Sequence, residues 1–173
     1  MLSSISRLGH VMRRGDREIK DLIQIKKFLK EQPYGVLCLN DHDKPYGIPL
    51  CYGFTWDKDE KFPTFYFHGA QSGRKIGAIK NNSDACLTIS KPLKLVYFPG
   101  RPPCTATMNY ESVIAEGKVE LLTHKDEIKT ALDSIITQFD IPLGKYKEAS
   151  LKRTAVIKFI TNSLSMKRNT ALE

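Results

Sequence analysis

The sequence predicts a mainly β protein, a six-to-seven-stranded antiparallel β-barrel with helices packed around it. Short apolar stretches with a two-residue alternation recur along the chain and are separated by polar turns, as in antiparallel sheets. Two longer segments instead repeat apolar residues every three or four positions, which indicates amphipathic helices. The regular alternation of strand and helix that accompanies a parallel sheet is missing. The 173 residues suit a single domain with its own core.

The first half of the chain begins with a predicted helix that proline and glycine end. The predicted elements are helix 18–31, strand 34–39, turn 40–45 and strand 46–56. Within the second strand, Pro49 has no N–H to donate to a neighbour, so we expect a bulge or a sheet edge at that point.

The second half alternates strands with two helices. The predicted elements are strand 64–68, helix 72–82, strands 84–90 and 94–98, loop 99–106, strand 108–122, helix 124–139 and strand 154–160. In helix 72–82 we expect Ile76 and Ile79 to face inward. Thr123 and Asp126 resemble a capping pair at the start of helix 124–139. Residues 1–11 are expected to be a flexible extension, 12–168 the domain and 169–173 a tail.

Composition limits the classes of function. The net charge of +8 favours anionic partners, but the basic residues are spread along the chain, so we expect no nucleic-acid partner. No apolar run approaches the roughly 20 residues of a membrane span. The four cysteines form no CxxC motif, and we expect a reduced, cytoplasmic protein, with a structural disulfide as the alternative.

One stretch, YFHGAQSGRKIGAI at 66–79, predicts an anion site where a strand becomes a helix. The N–H groups that open a helix attract phosphate. Gly73 allows a close backbone approach, and Arg74 and Lys75 add positive charge. His68 and Ser72 can donate hydrogen bonds. The alternatives are an ordinary serine cap, cations that face water and a structural histidine.

These residues resemble the phosphate-binding segment of the pyridoxamine 5'-phosphate oxidase-like FMN-binding split β-barrels. Three further segments agree in order: MRRGDREI at 12–19, KPYGIPLCYGFTW at 44–56 and YESVIAEGKVELL at 110–122. The first of them is similar to the start of the nitroimidazole-resistance branch. The similarity extends from Met12 to about Lys167.

The resemblance implies a homodimer with FMN at the dimer interface. Residues expected to hold the phosphate are His68, Ser72, Arg74 and Lys75. Residues expected along the isoalloxazine, largely through backbone groups, are Pro49, Leu50, Cys51 and Tyr52. Tyr66 would pack near the ribityl chain or ring, and Ser112 stands where the oxidases carry a flavin-contacting glutamine. For Tyr52 and Tyr66 the alternative is core packing.

The resemblance also implies an FMN-dependent oxidoreductase that acts on a small redox-active molecule, with a nitroaromatic, a quinone or oxygen as the acceptor that reoxidises the flavin. His68 is its candidate catalytic residue, as a proton source or substrate contact. The C-terminal Arg and His segment of the true oxidases is not recognisable, which counts against vitamin B6 oxidation. The alternatives are flavin or haem binding without turnover and, third, polyanion binding. A haem ligand would come from His10, His42, His68 or His124. No metal site is predicted.

Overall fold

The computed structural model describes residues 12–170. Its strands are β1 (Glu18–Ile19), β2 (Gly35–Asp41), β3 (Lys44–Leu50), β4 (Gly53–Thr55), β5 (Thr64–Ala70), β6 (Asp84–Val96), β7 (Thr107–Leu121) and β8 (Thr154–Asn169). Its α-helices are α1 (Leu22–Glu31), α2 (Arg74–Asn81), α3 (Lys125–Gln138) and α4 (Glu148–Leu151). Two 3₁₀ turns lie at Gly15–Arg17 and Pro103–Thr105.

The strands form one antiparallel sheet that curls into a split barrel. Along the sheet the order is β3-β2-β6-β7-β8-β5-β4, and the short β1 pairs with β8. The two end strands of this order, β3 and β4, are separated in the chain by Cys51 and Tyr52 alone. Three residue steps span at most about 10–11 Å, so the two edges of the sheet must meet. The predicted fold class is confirmed, with eight strands where six or seven were expected.

Several predicted boundaries differ from the structure because tertiary pairing decides them. Residues 18 and 19 are not helical but pair with Met166 and Lys167 of β8. The predicted strand 46–56 is two strands, β3 and β4, at opposite edges of the sheet. The expected edge position of Pro49 is confirmed, since β3 pairs with β2 alone.

Two predicted strands, 84–90 and 94–98, are one strand, β6, with a register shift between Pro92 and Lys94. The closing strand β8 continues to Asn169, so most of the stretch after residue 160 is strand rather than tail. The predicted cap of α3 is wrong: His124 is its N-cap, and no side chain caps the helix there. The expected extension at 1–11 lies outside the described residues.

The barrel interior holds the main core. Phe65, Phe67 and Phe159 are fully buried inside it, and the rings of Phe65 and Phe159 meet edge to face with 6.0 Å between centroids. Helices contribute further buried side chains to this cluster, from α1 (Ile25, Phe28, Leu29) and α2 (Ala78, Ile79). Ile76 and Ile79 are both buried, as their helical spacing predicts.

Helix α3 packs on the outside of β4 and β5 and forms a second, smaller core. Its buried residues Ala131, Leu132 and Ile135 contact Val156 of β8. Gly53 of β4 permits this close approach, because a Cβ there would overlap the backbone of α3 at residues 134 and 135. The outer face of β4 and β5 is therefore covered by α3.

The C-terminal ends of α1 and α3 satisfy each other's carbonyl groups. The buried Gln138 side chain donates to the carbonyls of Leu29 (2.8 Å), Lys30 (3.2 Å) and Gln32 (3.2 Å). In return, the Lys30 ammonium donates to the carbonyls of Thr137 (2.5 Å) and Gln138 (3.0 Å). Helix ends leave carbonyls without intrahelical partners, so this exchange joins α1 to α3.

Replacement of Gly53 by alanine tests the approach of α3 to β4. The added methyl group has no space because the atoms that it meets are backbone, so we expect the free energy of unfolding to fall by about 1–3 kcal/mol. Chemical denaturation measures it. Gly77→Ala is the matched control: it lies in α2 with open space around the Cβ, and we expect unchanged or slightly raised stability. Equal stability of Gly53→Ala and wild type would contradict this packing.

Candidate functional site

The corner between β5 and α2 presents free backbone donors. Gly73 is the N-cap of α2, with φ +110°, and no side chain caps the helix there. The left-handed φ explains the glycine at this position. Ser72 is exposed and does not supply the cap. The first N–H groups of α2 therefore remain available to an anion.

Lys75 places its ammonium group over the end of β5. A Cβ on Gly69 would lie 2.7 Å from both Cε and Nζ of Lys75. The missing side chain of Gly69 thus makes the space that the Lys75 side chain occupies. Lys75 is half-buried, so its charge is held beside the opening of α2 rather than free in solvent.

Arg74 is held by two residues of the β2–β3 hairpin. Its Nε donates to Oδ2 of Asp41 at 2.7 Å, and its guanidinium stacks 4.2 Å from the centroid of the Tyr46 ring. The Arg74 hydrogen bond, with a second one from His42 at 2.9 Å, holds the pKa of Asp41 below its usual range. The pair uses Nε alone, which leaves the two Nη groups of Arg74 for a further ligand.

His68 lies apart from this cluster. Successive side chains of a strand point to opposite faces, and His68 and Gly69 follow that rule. The His68 ring lines a cavity beneath α3 and α4, whereas Lys75 covers the other face of β5 at Gly69. The expected group of four phosphate-binding residues is thus divided, with Ser72, Arg74 and Lys75 at the corner and His68 elsewhere.

The residues expected along a flavin ring sit at the edge of the barrel. Pro49 and Cys51 are exposed and Leu50 packs against the core. Tyr52 is fully buried and donates its hydroxyl to the Leu29 carbonyl at 2.7 Å. The Tyr52 side chain belongs to the core, so only the backbone of this residue is available for the predicted contact with a flavin ring. Burial raises the pKa of this hydroxyl well above the ordinary value of 10.0.

Ser112 shares an outer face of the sheet with Pro49. Pro49 lies opposite Val36, Val36 opposite Thr88, and Thr88 opposite Ile114. Ser112 is two residues from Ile114 on β7, and therefore on the same face. Ile114 is 41% exposed. This outer face, which carries Pro49, Ile114 and Ser112, is accordingly open to a ligand or a partner.

Tyr66 packs beneath α3, in the smaller core, so its side chain follows the core-packing alternative.

Sequence reasoning did not find Asp41, Tyr46 and Gly69. Asp41 and Tyr46 belong to the tight hairpin of β2 and β3, where His42 and Asp43 have positive φ values of 51° and 63°. The signal for Gly69 was its place after His68 in a strand, where a missing side chain leaves room for another group.

Within residues 12–170, neither the histidines nor the cysteines gather into a cluster of three or more possible metal ligands. His42 is exposed, with its ring nitrogens 2.9 Å from Asp41 and 3.0 Å from Asn81. His124 is exposed at the start of α3, and His10 lies outside the described residues. In residues 12–170 no three His, Cys, Asp or Glu side chains are placed to share a metal ion. The four cysteines are free thiols, and none of the helices described could cross a membrane.

Comparison with known proteins identifies relatives of the whole barrel. The family model described as pyridoxamine 5'-phosphate oxidase matches residues 22–168. A candidate 5-nitroimidazole antibiotic resistance protein from Bacteroides thetaiotaomicron is 26% identical, with a TM-score of 0.72 over 87% of this chain and 86% of that one. A search of curated proteins found no match.

Two further structures share the fold. The flavocytochrome Anf3 from Azotobacter vinelandii is 24% identical, with a TM-score of 0.76 over 95% of this chain and 75% of its own. The FAD and haem binding protein from Mycobacterium smegmatis is 16% identical, with a TM-score of 0.76 over 90% of this chain and 74% of that one. The barrel thus has flavin-binding and haem-binding structural neighbours.

Replacement of Tyr52 by phenylalanine tests the buried hydroxyl. At about pH 8 we expect the free energy of unfolding to fall by about 0.5–1.5 kcal/mol, because one hydrogen bond is lost. Above pH 10 the unfolded wild type releases the Tyr52 proton while the folded protein keeps it, so wild-type stability falls as pH rises. The variant has no proton to lose at residue 52. The difference in free energy of unfolding between wild type and variant should therefore narrow towards about pH 11.

Urea denaturation of both proteins across this pH range measures the gap. Tyr34→Phe is the control, because Tyr34 is 56% exposed and its replacement should change stability by less than about 0.5 kcal/mol. A gap between Tyr52→Phe and wild type that widens with pH would contradict the burial of this group.

Proposed function

Because the chain belongs to the pyridoxamine 5'-phosphate oxidase family, we propose that it is an FMN-binding flavoprotein that acts as an oxidoreductase on a small redox-active molecule. The observation that carries the proposal is the corner formed by β5 and α2. There the Lys75 ammonium, which occupies the space beside Gly69, and the free N–H groups of α2 lie close enough to hold one anion.

The residues at this corner suit a phosphate monoester. A Cβ at residue 69 would displace the Lys75 ammonium, so the glycine keeps the charge close to the strand. Arg74 adds two unused Nη groups, already oriented by Asp41 and Tyr46. Charge-assisted hydrogen bonds of this kind are the strongest that side chains form with phosphate. Ser72, exposed beside the helix start, can donate one more.

A flat ring attached to that phosphate would extend along the edge strand β3. An edge strand has backbone N–H and C=O groups without a ladder partner. Pro49, near the end of β3, and Cys51, just after it, are both exposed. The proposal gives these backbone groups the role of orienting the ring. Bound flavin supplies the redox chemistry, while N–H donors near its ring favour developing negative charge.

The proposed electron acceptor class is a nitroaromatic or a quinone. The similarity to a candidate 5-nitroimidazole antibiotic resistance protein, over most of both chains, supports this class. His68 has no role at the phosphate in this proposal, because it faces the cavity on the other side of β5.

We also propose that two copies associate. The ends of β6 and β7 expose a set of apolar side chains, namely Leu93, Leu95, Tyr97 and Met108. Leu95 and Met108 lie directly opposite each other and are 63% and 42% exposed. A contiguous exposed apolar patch commonly marks a protein interface. A second copy that covers this patch and the outer face at Ile114 would also cover the edge of β3.

The second candidate is a flavin- or haem-binding protein without turnover. The haem-containing structural neighbours favour it. A visible spectrum of the purified protein identifies the cofactor: flavin bands indicate flavin, a Soret band indicates haem, and a protein that stays colourless with added FMN and added haem contradicts both candidates. Where flavin is bound, reoxidation of the reduced flavin by a nitroaromatic or quinone distinguishes the oxidoreductase from a protein that only binds the cofactor.

The phosphate role of the corner is tested by Lys75→Gln and Arg74→Gln. Each loses a charge-assisted hydrogen bond worth about 1.5–3 kcal/mol, so we expect FMN affinity to fall about tenfold or more. Quenching of flavin fluorescence measures it. Riboflavin lacks the phosphate and should bind wild type and variants alike. Lys80→Gln, in the last turn of the same helix, is the matched control. Equal losses for FMN and riboflavin would refute a phosphate contact.

The association surface is tested by Leu95→Glu. A charge buried in an apolar interface is strongly unfavourable, so we expect wild type to sediment as a dimer and the variant as a monomer. Analytical ultracentrifugation with far-UV circular dichroism separates dissociation from unfolding. Leu143→Glu, at another exposed leucine (58%), should remain dimeric. A monomeric wild type, or a dimeric Leu95→Glu, would contradict this surface.

A further inference from the structure

Two adjoining cavities lie on the α3 side of the sheet. The first, about 190 Å³, is mostly apolar, and its lining includes His68, Leu132, Ile136, Tyr146, Ser150 and Leu151. The second, about 310 Å³, is lined by Lys125, Asp126, Lys129, Gly144, Lys145, Tyr146 and Leu151. They share Tyr146 and Leu151. Taken together, the volumes of the two cavities lie in the range of ordinary small-molecule sites, about 300–1,000 Å³.

The second cavity carries an excess of positive charge. Lys125, Lys129 and Lys145 line it, and Asp126 is its one lining carboxylate. Among the salt bridges of residues 12–170, none involves these three lysines. Lys125 and Lys129 are also one helical turn apart, a spacing at which like charges repel. An anion placed among the three would relieve that repulsion.

Tyr146 stands between the two cavities and is fixed in place. Its hydroxyl donates to Oδ1 of Asp133 on α3 at 2.8 Å. Burial, together with the Asp133 carboxylate, raises the pKa of this hydroxyl to about 12, so Tyr146 stays neutral. Tyr146 lines the apolar cavity together with Leu132, and it also lines the cavity of the three lysines.

We propose that the two cavities form one binding site for a small anionic amphiphile, a ligand with an aromatic body and a carboxylate, sulfonate or phosphate group. The aromatic body occupies the cavity between His68 and Leu132, and the anionic group lies among Lys125, Lys129 and Lys145. This inference goes beyond the proposed flavin site and does not require it, since the Gly69–Lys75 corner is on the other face of β5.

A pair of fluorescent probes tests the two halves of the site separately. 8-Anilino-1-naphthalenesulfonate carries a sulfonate, and N-phenyl-1-naphthylamine has the same rings without it. With the full-length folded protein we expect saturable binding of both probes at one site. The triple variant Lys125→Gln/Lys129→Gln/Lys145→Gln should bind the sulfonate probe about tenfold or more weakly and the neutral probe unchanged.

The control variant is Lys58→Gln/Lys61→Gln/Lys80→Gln, which removes the same net charge from lysines outside both cavities. We expect wild-type binding of both probes. Ser150→Trp should fill the apolar cavity and abolish both, with Ile136→Trp as the second variant if the first does not fold. Thermal melts confirm the fold of each variant before titration.

Added FMN should change the affinity of each probe by no more than about twofold, because the sheet separates the proposed flavin site from the two cavities. Equal weakening of the sulfonate probe by the two triple variants would show a general charge effect and overturn the proposal. So would undiminished binding of both probes to a folded Ser150→Trp. A protein that binds no flavin but shows the expected probe pattern refutes the proposed function and leaves this inference standing.

Discussion

The meeting of the two sheet edges at Cys51 and Tyr52 is the constraint on which the rest of the structure depends. β3 and β4 lie at opposite ends of the strand order, and two residues join them. Because this connection is so short, the sheet must curl, and the curled sheet encloses the buried phenylalanine side chains Phe65, Phe67 and Phe159. It also brings Tyr52 under α1, where the hydroxyl bonds to the Leu29 carbonyl. β3 and β4 do not pair with each other. The place where these two edges meet, the barrel seam, is instead held by the buried hydrogen bond from Tyr52 to α1.

The same Leu29 carbonyl accepts a second hydrogen bond, from Gln138 of α3. The barrel seam, α1 and α3 are therefore joined at one buried atom. Because α3 is held there at its C-terminal end and approaches Gly53 closely at residues 134 and 135, it can cover the outer face of β4 and β5. The cavities beneath α3 and α4 are a consequence of that placement.

Strand alternation separates the two chemical environments at the end of β5. Residue 68 faces the apolar cavity, and residue 69, a glycine, gives its space to the Lys75 side chain on the opposite face. Sequence neighbours at a strand end are thus in different sites. In the proposed flavoprotein this arrangement places an anion on one face of a thin sheet and an aromatic ligand on the other. A flavin and a small amphiphile could be bound without competing for space.

By itself, the sequence determined the mainly β architecture, the strand-to-helix transition between β5 and α2 and the inward faces of the helices, because these follow from local periodicity and from residue types close together in the chain. An anion site at that transition is a prediction from the same residue types. Only the tertiary structure decided that 46–56 is two strands, that 18–19 pairs with β8 and that Asp41 and Tyr46 hold Arg74, 33 residues from Asp41. It also decided that the Tyr52 side chain is core and that His68 lies apart from Lys75. Such outcomes depend on which strands pair and which face each residue takes, and a one-residue shift in register reverses the face.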